Sequence, residues 1–407
     1  MNCRHCKASL TETFLDLGFA PPSNAYLTLA ELSKPEKHFP LKIMVCTVCW
    51  LVQTEDYTEA GELFSSNYAY FSSTSSSWLA HAAGYAEKLT KMLELDENKL
   101  VIEVGSNDGY LLKNFLAAGV SCLGIEPTVS TATAAEKLGI PVLREFFGEL
   151  LGKRLASEGR QADLIVGNNV YAHVPDINDF TMGIKALLKP GGTVTLEFPH
   201  IKKLIEGKQF DTVYHEHFSY LSLYTVERIF RAAGLRIWDV EKLPTHGGSL
   251  RIYGCHIEDA RMNANALEKL QKEEAQFGLQ TLAIYQNFQI QADKIKNDLL
   301  SFLIEQKKSG KKVVAYGAAA KGNTLLNYAG IKNDLVPFIC DAAKAKQGKY
   351  TPGTHIPIVP PSALSSSFWD FVLIFPWNIA KEVMSENSEL TANGTKFVIA
   401  VPEVRVL

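Results

Sequence analysis

Val101-Ile102-Glu103-Val104-Gly105-Ser106-Asn107-Asp108-Gly109-Tyr110-Leu111-Leu112 is an apolar run, a glycine turn and the opening of a helix. Glycine at the end of such a run lets backbone approach a ligand where a Cβ would clash, and open α/β sheets bind their ligands at strand carboxyl ends. The turn also selects the ligand. A dinucleotide site needs G-x-G-x-x-G to seat a pyrophosphate, whereas the oxygens of Asn107 and Asp108 repel phosphate and suit the amino and carboxylate ends of S-adenosylmethionine. Gly105, Gly109, Tyr110 and Leu111 complete that loop. Glu126-Pro127 ends the next apolar run, where a carboxylate accepts both ribose hydroxyls, and Asn168-Asn169 closes a further one. Together these positions predict a methyltransferase; a dehydrogenase and a noncatalytic α/β domain are the competing readings.

Working outward, strands at 100–104, 121–125, 163–166 and 192–197 alternate with helical stretches, which predicts an α/β domain with a mainly parallel sheet covered on both faces. A polar helical stretch, about 262–307, leads to a second alternation with strands at 312–316, 336–340, 370–375 and 396–400. Upstream, residues 78–95 read as a helix. The segment before it, 67–77, is Ser-rich but carries Tyr68, Tyr70 and Phe71, which a plain spacer rarely does. The expected domains are 1–65, 66–285 and 286–407.

Residues 1–65 hold short apolar runs broken by prolines and cannot build much core unaided. They also hold two Cys-x-x-Cys pairs, Cys3/Cys6 and Cys46/Cys49. Each pair presents two thiolates to one cation, and two pairs complete a tetrahedral shell closed to water, the pattern of a structural zinc. A redox pair or unpaired thiols are the alternatives; thioredoxin-like chemistry uses one such pair opening a helix.

With 407 residues, 46% apolar and 21% charged, the chain is long enough for two or three domains of ordinary globular composition. A net charge of −3 without a Lys/Arg block argues against a nucleic-acid partner. No apolar run approaches a membrane span and the N-terminus has no signal-like segment, so a cytoplasmic protein with no membrane or obligate protein partner is expected.

Two histidine segments lie in the middle domain: Asn169-Val-Tyr-Ala-His173 and Tyr214-His215-Glu216-His217. If the second is extended, His215 and His217 share one face and Tyr214 and Glu216 the other; a turn scrambles that. A catalytic metal finds no third ligand at a recognisable spacing. Methyl transfer to carbon needs removal of a proton α to a carbonyl and stabilisation of the enolate. Neutral histidine suits the first task, hydroxyl or imidazole donors the second.

With these motifs the whole chain resembles the C-methyltransferases that act on nucleotide-linked 4-keto-6-deoxy sugars. The resemblance is carried by the Cys-x-x-Cys pairs with Leu51-Val-Gln53, Glu103–Gly109, Asn168–His173, Glu197-Phe-Pro-His200, Tyr214–His217 and Gly317-Ala-Ala-Ala-Lys-Gly-Asn323. It implies an N-terminal zinc module, a central class I S-adenosylmethionine-binding Rossmann-like domain and a C-terminal Rossmann-like domain for the nucleotide sugar, with a dTDP-linked substrate favoured. It further implies that Tyr68, His173, Tyr214, Glu216 and His217 line the pocket, His217 taking the C-3 proton. In the C-terminal turn, Ala318, Lys321 and Asn323 can cradle a diphosphate, or form a close-packed turn with a solvated lysine. Trp377 and Asn378 match the family as substrate-binding positions. An O- or N-methyltransferase of another small metabolite, or a binding protein on the same fold, would need neither an enolate site nor, for the former, a second α/β domain.

Overall fold

The computed structural model describes residues 1–55 and 71–407. Its N-terminal module is a small antiparallel sheet of β1 (Glu12–Ala20), β2 (Phe39–Val45) and β3 (Val52–Thr54). The fourth strand of that sheet, β9 (Ser219–Tyr220), comes from the middle of the chain and pairs with β3 through Val52↔Tyr220 and Gln53↔Ser219. The module builds no separate core. Phe14, Leu15 and Leu17 pack with residues of the C-terminal domain, among them Val313, Ala315 and Leu373, while the cysteines and Leu51 pack with Leu221, Val226 and Ile229 of the middle domain. A segment too short to bury its own apolar surface is thus wedged between two larger ones.

The middle domain is built on β4 (Leu100–Val104), β5 (Ser121–Ile125), β6 (Val142–Leu143), β7 (Ala162–Asn168), β8 (Leu188–Pro199), β10 (Leu235–Leu243) and β11 (Ser249–His256). Their order is β10-β11-β8-β7-β4-β5-β6. β4 to β8 pair in parallel, and β11 runs antiparallel to both β8 and β10. This is the expected class I methyltransferase sheet. The chain leaves β4 toward β5 and β6, then returns to β7 on the other side, so the strand order reverses between β4 and β7. That reversal opens the crevice where α/β sheets bind ligands. Helix α1 (Ser76–Met92) covers one face; Ser75 caps it by accepting the Trp78 N–H, and Ala82, Tyr85, Ala86 and Leu89 form its buried stripe.

The polar stretch read as one helical region divides into α2 (Asn265–Phe277), α3 (Ala283–Gln286) and α4 (Phe288–Lys308). The break is Gly278, left-handed at φ 90°, which ends α2 as a C-cap glycine does. The C-terminal sheet follows: β12 (Val313–Tyr316), β13 (Ile339–Cys340), β14 (Ile358–Val359), β15 (Phe371–Ile374), β16 (Lys396–Ile399) and β17 (Arg405–Val406), in the order β14-β13-β12-β15-β16-β17. All pairs are parallel except the last. β13 is shorter than the 336–340 expected from sequence; Pro337 has no N–H to give a ladder. Among the described residues, no helix is long and apolar enough to cross a membrane.

Candidate functional site

The metal site is set by two matching turns. After each Cys-x-x-Cys the next residue is left-handed, Lys7 at φ 62° and Trp50 at φ 62°. Its N–H returns to the first cysteine carbonyl: Lys7 to Cys3 at 3.0 Å and Trp50 to Cys46 at 2.9 Å. The four sulfurs lie within 4.8 Å of one another, with Cys3–Cys49 and Cys6–Cys46 at 3.5 Å. A tetrahedral Zn–S shell of about 2.3 Å bonds requires sulfurs about 3.8 Å apart, so the donor set fits zinc. Gln53, fully buried, donates to Cys3 Sγ at 3.3 Å while its Oε1 accepts the Arg4 N–H at 2.8 Å. The Cys3 thiol is pulled down to about 4 by the hydrogen bond from Cys49.

Because Cys46 and Cys49 form the turn between β2 and β3, and β3 pairs with β9, the metal turn is tied directly to the histidine segment just ahead of β9. Two further contacts reinforce the tie. The Asn24 Nδ2 donates to both oxygens of Glu216, at 2.8 and 2.7 Å. His215 Nε2 lies 3.3 and 3.2 Å from the Phe39 and Pro40 carbonyls. The segment is a turn, not a strand: His217 N–H bonds the Tyr214 carbonyl at 3.0 Å. His217 therefore stacks on Tyr214, ring centroids 3.9 Å apart, while His215 and Glu216 are directed to the N-terminal module.

On its other side His217 meets His173, delivered by the turn after β7, with centroids 4.6 Å apart and planes at 69°. Burial lowers the His217 imidazole well below the usual histidine range, and His173, His246 and Lys321 lower it further. His173 is lowered to about 4 by burial, against a backbone hydrogen bond to Glu216. Tyr68 lies outside the described residues.

The residues expected to hold the methyl donor lie at the ends of β4, β5 and β7. Gly105 and Asn107 are left-handed, at φ 68° and 47°. A Cβ on Gly105 would sit 3.0 Å from Val170 Cγ2, so glycine is required there by the loop after β7. Glu126 is buried and accepts the Asn107 N–H at 3.0 Å and the Thr128 N–H at 2.9 Å; Pro127 beside it is half-buried. Asn107 Oδ1 accepts the Ser72 N–H at 3.0 Å and Asp108 Oδ2 the Ser73 N–H at 3.1 Å, which draws the residues ahead of α1 over this turn. Tyr110 and Leu111 are buried beneath α1.

Three polar atoms test the fit of the donor. Both side-chain polar atoms of Asn168, and Asp108 Oδ1, are buried with no hydrogen-bond partner among the described residues. Leaving such groups unsatisfied costs about 1–3 kcal/mol each. An amide and two carboxylates, Asp108 and Glu126, match a ligand rich in hydroxyl and amino donors. They do not match a pyrophosphate.

Asn169, left-handed at φ 54°, joins the two sides. Its Nδ2 donates to His246 Nε2 at 3.1 Å. His246 is itself left-handed at φ 52° and is lowered to about 4 by burial. It was not singled out in the sequence; its signal is the Gly247-Gly248 pair that follows, at φ 87° and 121°. Behind it Glu197 accepts from Thr245 at 2.8 Å and from Arg251 at 2.6 Å, with His81 Nε2 at 3.0 Å.

From the C-terminal domain, the Lys321 ammonium donates to Asn378 Oδ1 at 2.7 Å and sits 4.5 Å over the Trp377 ring. The Trp377 indole N–H reaches across to Asp211 Oδ2 at 2.7 Å. Asp211, also unnoticed in the sequence, is buried, and burial pushes its carboxyl up to about 6. Ala318 and Asn323 are directed elsewhere. The Ala318 carbonyl accepts from Tyr26 and Lys346, and the buried Asn323 donates to the Ser23 carbonyl at 2.7 Å.

Comparison with known proteins gives three family matches along the chain. Family models match at residues 3–64 ("Putative zinc binding domain"), 77–240 ("Methyltransferase domain") and 244–402 ("C-methyltransferase C-terminal domain"). C-methyltransferase NovU of Streptomyces niveus is 31% identical over 405 residues, covering 100% of this chain and 96% of its own. An uncharacterized methyltransferase of Mycobacterium leprae, ML2584, is 30% identical over 100 residues, 25% of this chain and 37% of its own. Among solved structures, magnesium protoporphyrin IX methyltransferase of Synechocystis PCC 6803 with bound S-adenosylhomocysteine is 14% identical, with a TM-score of 0.34 over 43% of this chain and 82% of that one.

Proposed function

We propose, on the premise that this chain belongs to the C-methyltransferase family, that it methylates a carbon, C-3, α to the 4-keto group of a nucleotide-linked deoxysugar. The observation that carries this reading is the ring cluster in which buried His217 meets the half-buried Tyr214 and, edge-on, the half-buried His173, beside the strand ends that suit S-adenosylmethionine. O- or N-methylation needs only a base for a heteroatom proton; a cluster of imidazoles kept neutral by burial serves carbon deprotonation and enolate stabilisation together.

His217 is the base in this reading. The Thr212 carbonyl takes its Nδ1–H at 2.9 Å, which leaves the Nε2 lone pair for the α-proton. As Nε2 takes that proton, the C–H electron pair becomes the enolate double bond and the carbonyl pair moves to oxygen. His173 and Tyr214 stand beside the base to donate hydrogen bonds to that oxygen, and Tyr68 joins them by resemblance. Glu216 holds the turn through Asn24. Glu126, Asn168 and Asp108 would hold S-adenosylmethionine, which supplies an electrophilic methyl on a sulfonium. The domain carrying Lys321, Trp377 and Asn378 closes the substrate side, and the cysteine cluster holds a structural zinc. The test is a panel of dTDP-, GDP- and CDP-linked 4-keto sugars incubated with S-adenosylmethionine and read by mass spectrometry and NMR. A product heavier by one methylene with the new methyl on carbon supports the reading; methyl on oxygen or nitrogen overturns it.

A further inference from the structure

We propose that Lys321, reaching across from the C-terminal domain, is the cation that receives the enolate oxygen, and that Trp377 and Asp211 are its mount. The proposal rests on the function just proposed and gives Lys321 a place at the reacting carbon in place of the diphosphate.

The geometry is a chain of contacts between domains. Lys321 opens helix α5 (Ala320–Ala329), and its ammonium lies 4.5 Å over the face of Trp377. A cation over an indole is held electrostatically by the ring. The indole is fixed in turn by its N–H to Asp211 Oδ2 at 2.7 Å. Its far edge abuts the turn that carries His246, since a Cβ on Gly247 would lie 2.5 Å from Trp377 Cη2. The lysine is therefore held on a ring that also touches Asp211 and the turn carrying His246 in the middle domain.

The hydrogen bonds agree. Among the described residues Asn378 is the one acceptor for Lys321, at 2.7 Å, and an ammonium carries three donors. Asp211 Oδ1 is buried with no hydrogen-bond partner among the described residues, so its charge remains available to offset the lysine. The lysine charge is also felt at the histidines: after burial, it is among the influences that hold His217 and His246 neutral. A cation that keeps the base unprotonated also stabilises the anion the base creates. By contrast, the turn ahead of Lys321 offers little to a diphosphate. The Ala318 carbonyl faces the Lys346 ammonium and Tyr26 hydroxyl, and Asn323 is fully buried.

The proposal separates from diphosphate binding by which constant changes. Steady-state kinetics use dTDP-4-keto-6-deoxyglucose with S-adenosylmethionine, and dTDP alone serves as the probe for diphosphate affinity by calorimetry. Lys321→Gln is expected to lower kcat by about 10²–10³-fold, as loss of one oxyanion donor does, with dTDP affinity unchanged. Lys321→Arg should recover part of kcat, and Asp211→Asn, which keeps an acceptor for the indole, should lower kcat without raising the KM for the donor. Melting curves on each variant establish that it is folded. Near-normal kcat with weakened dTDP binding in Lys321→Gln places the lysine on the diphosphate and overturns the proposal. If the wild-type protein methylates no 4-keto sugar in the panel above, the functional reading falls first and the proposal with it.

Discussion

His217 Nδ1 lies 2.9 Å from the Thr212 carbonyl oxygen, five residues back along the chain. A carbonyl can only accept, so the imidazole proton is on Nδ1 and the lone pair on Nε2. The same turn stacks the ring on Tyr214 and against His173. The tautomer a general base needs is thus set by backbone, before any ligand arrives.

The pH profile follows from burial. Because the His217 pKa is lowered well below 6.5, the base stays neutral as pH falls through the ordinary histidine range, and its acid limb in kcat/KM lies below pH 6.5. Asp211, pushed up to about 6 by burial, also titrates in this region. The profile of Asp211→Asn should lose any limb near 6 and keep the lower one. A single limb at or above 6.5 that survives this substitution contradicts the assignment.

Zinc removal should affect catalysis at a distance. The metal turn Cys46–Cys49 joins β2 to β3, and β3 pairs with β9 just after His217. Metal analysis should find about one zinc per chain. Stripping it with a chelator should abolish turnover and lower the melting temperature. Metal-free protein with full turnover would show that the histidine turn does not depend on the cluster.

The donor site is tested at Glu126. Replacing it with Ala removes a buried carboxylate acceptor, and calorimetry should show S-adenosylmethionine binding weakened by about 1.5–3 kcal/mol. Sugar-nucleotide affinity should change little. Unchanged donor binding would mean that the carboxylate serves only the Asn107 and Thr128 amides.

Asn24 grips both Glu216 oxygens from the N-terminal module. Asn24→Ala should cost about 1–3 kcal/mol of stability by removing a donor from a buried carboxylate. Asn24→Asp should cost more at pH 8, where two carboxylates face each other. Thermal melts giving the two variants equal stability would contradict this.

What the sequence made legible is whatever local pattern determines. The run 100–104 and its glycine turn form β4 and a left-handed turn after it as read, because an unbroken apolar run with glycines fixes both burial and backbone. The two Cys-x-x-Cys pairs come together as one four-cysteine cluster, as read from the pairs themselves. Residues decided by long-range contact were not legible. Asp211 is an ordinary acid within Phe210-Asp211-Thr212 until Trp377, 166 positions away, covers it. His246 gains its place from Asn169, 77 positions away. Whether Tyr214–His217 is strand or turn depends on Asn24, Phe39 and Pro40 of another domain, and no period within four residues contains that information.

Hydrogen exchange at the reacting carbon is the most direct test of carbon methylation through a base. Wild-type protein and His217→Asn are each incubated in D₂O with dTDP-4-keto-6-deoxyglucose, with and without S-adenosylmethionine, and the C-3 position is followed by NMR. Wild type should wash out the C-3 proton and place the methyl on that carbon. His217→Asn should slow both by about 10²–10⁴-fold, the range for removal of a general base, while still binding both ligands. Near-normal exchange and methylation by His217→Asn, with both lost in His173→Asn, would contradict the assignment of His217 as the base.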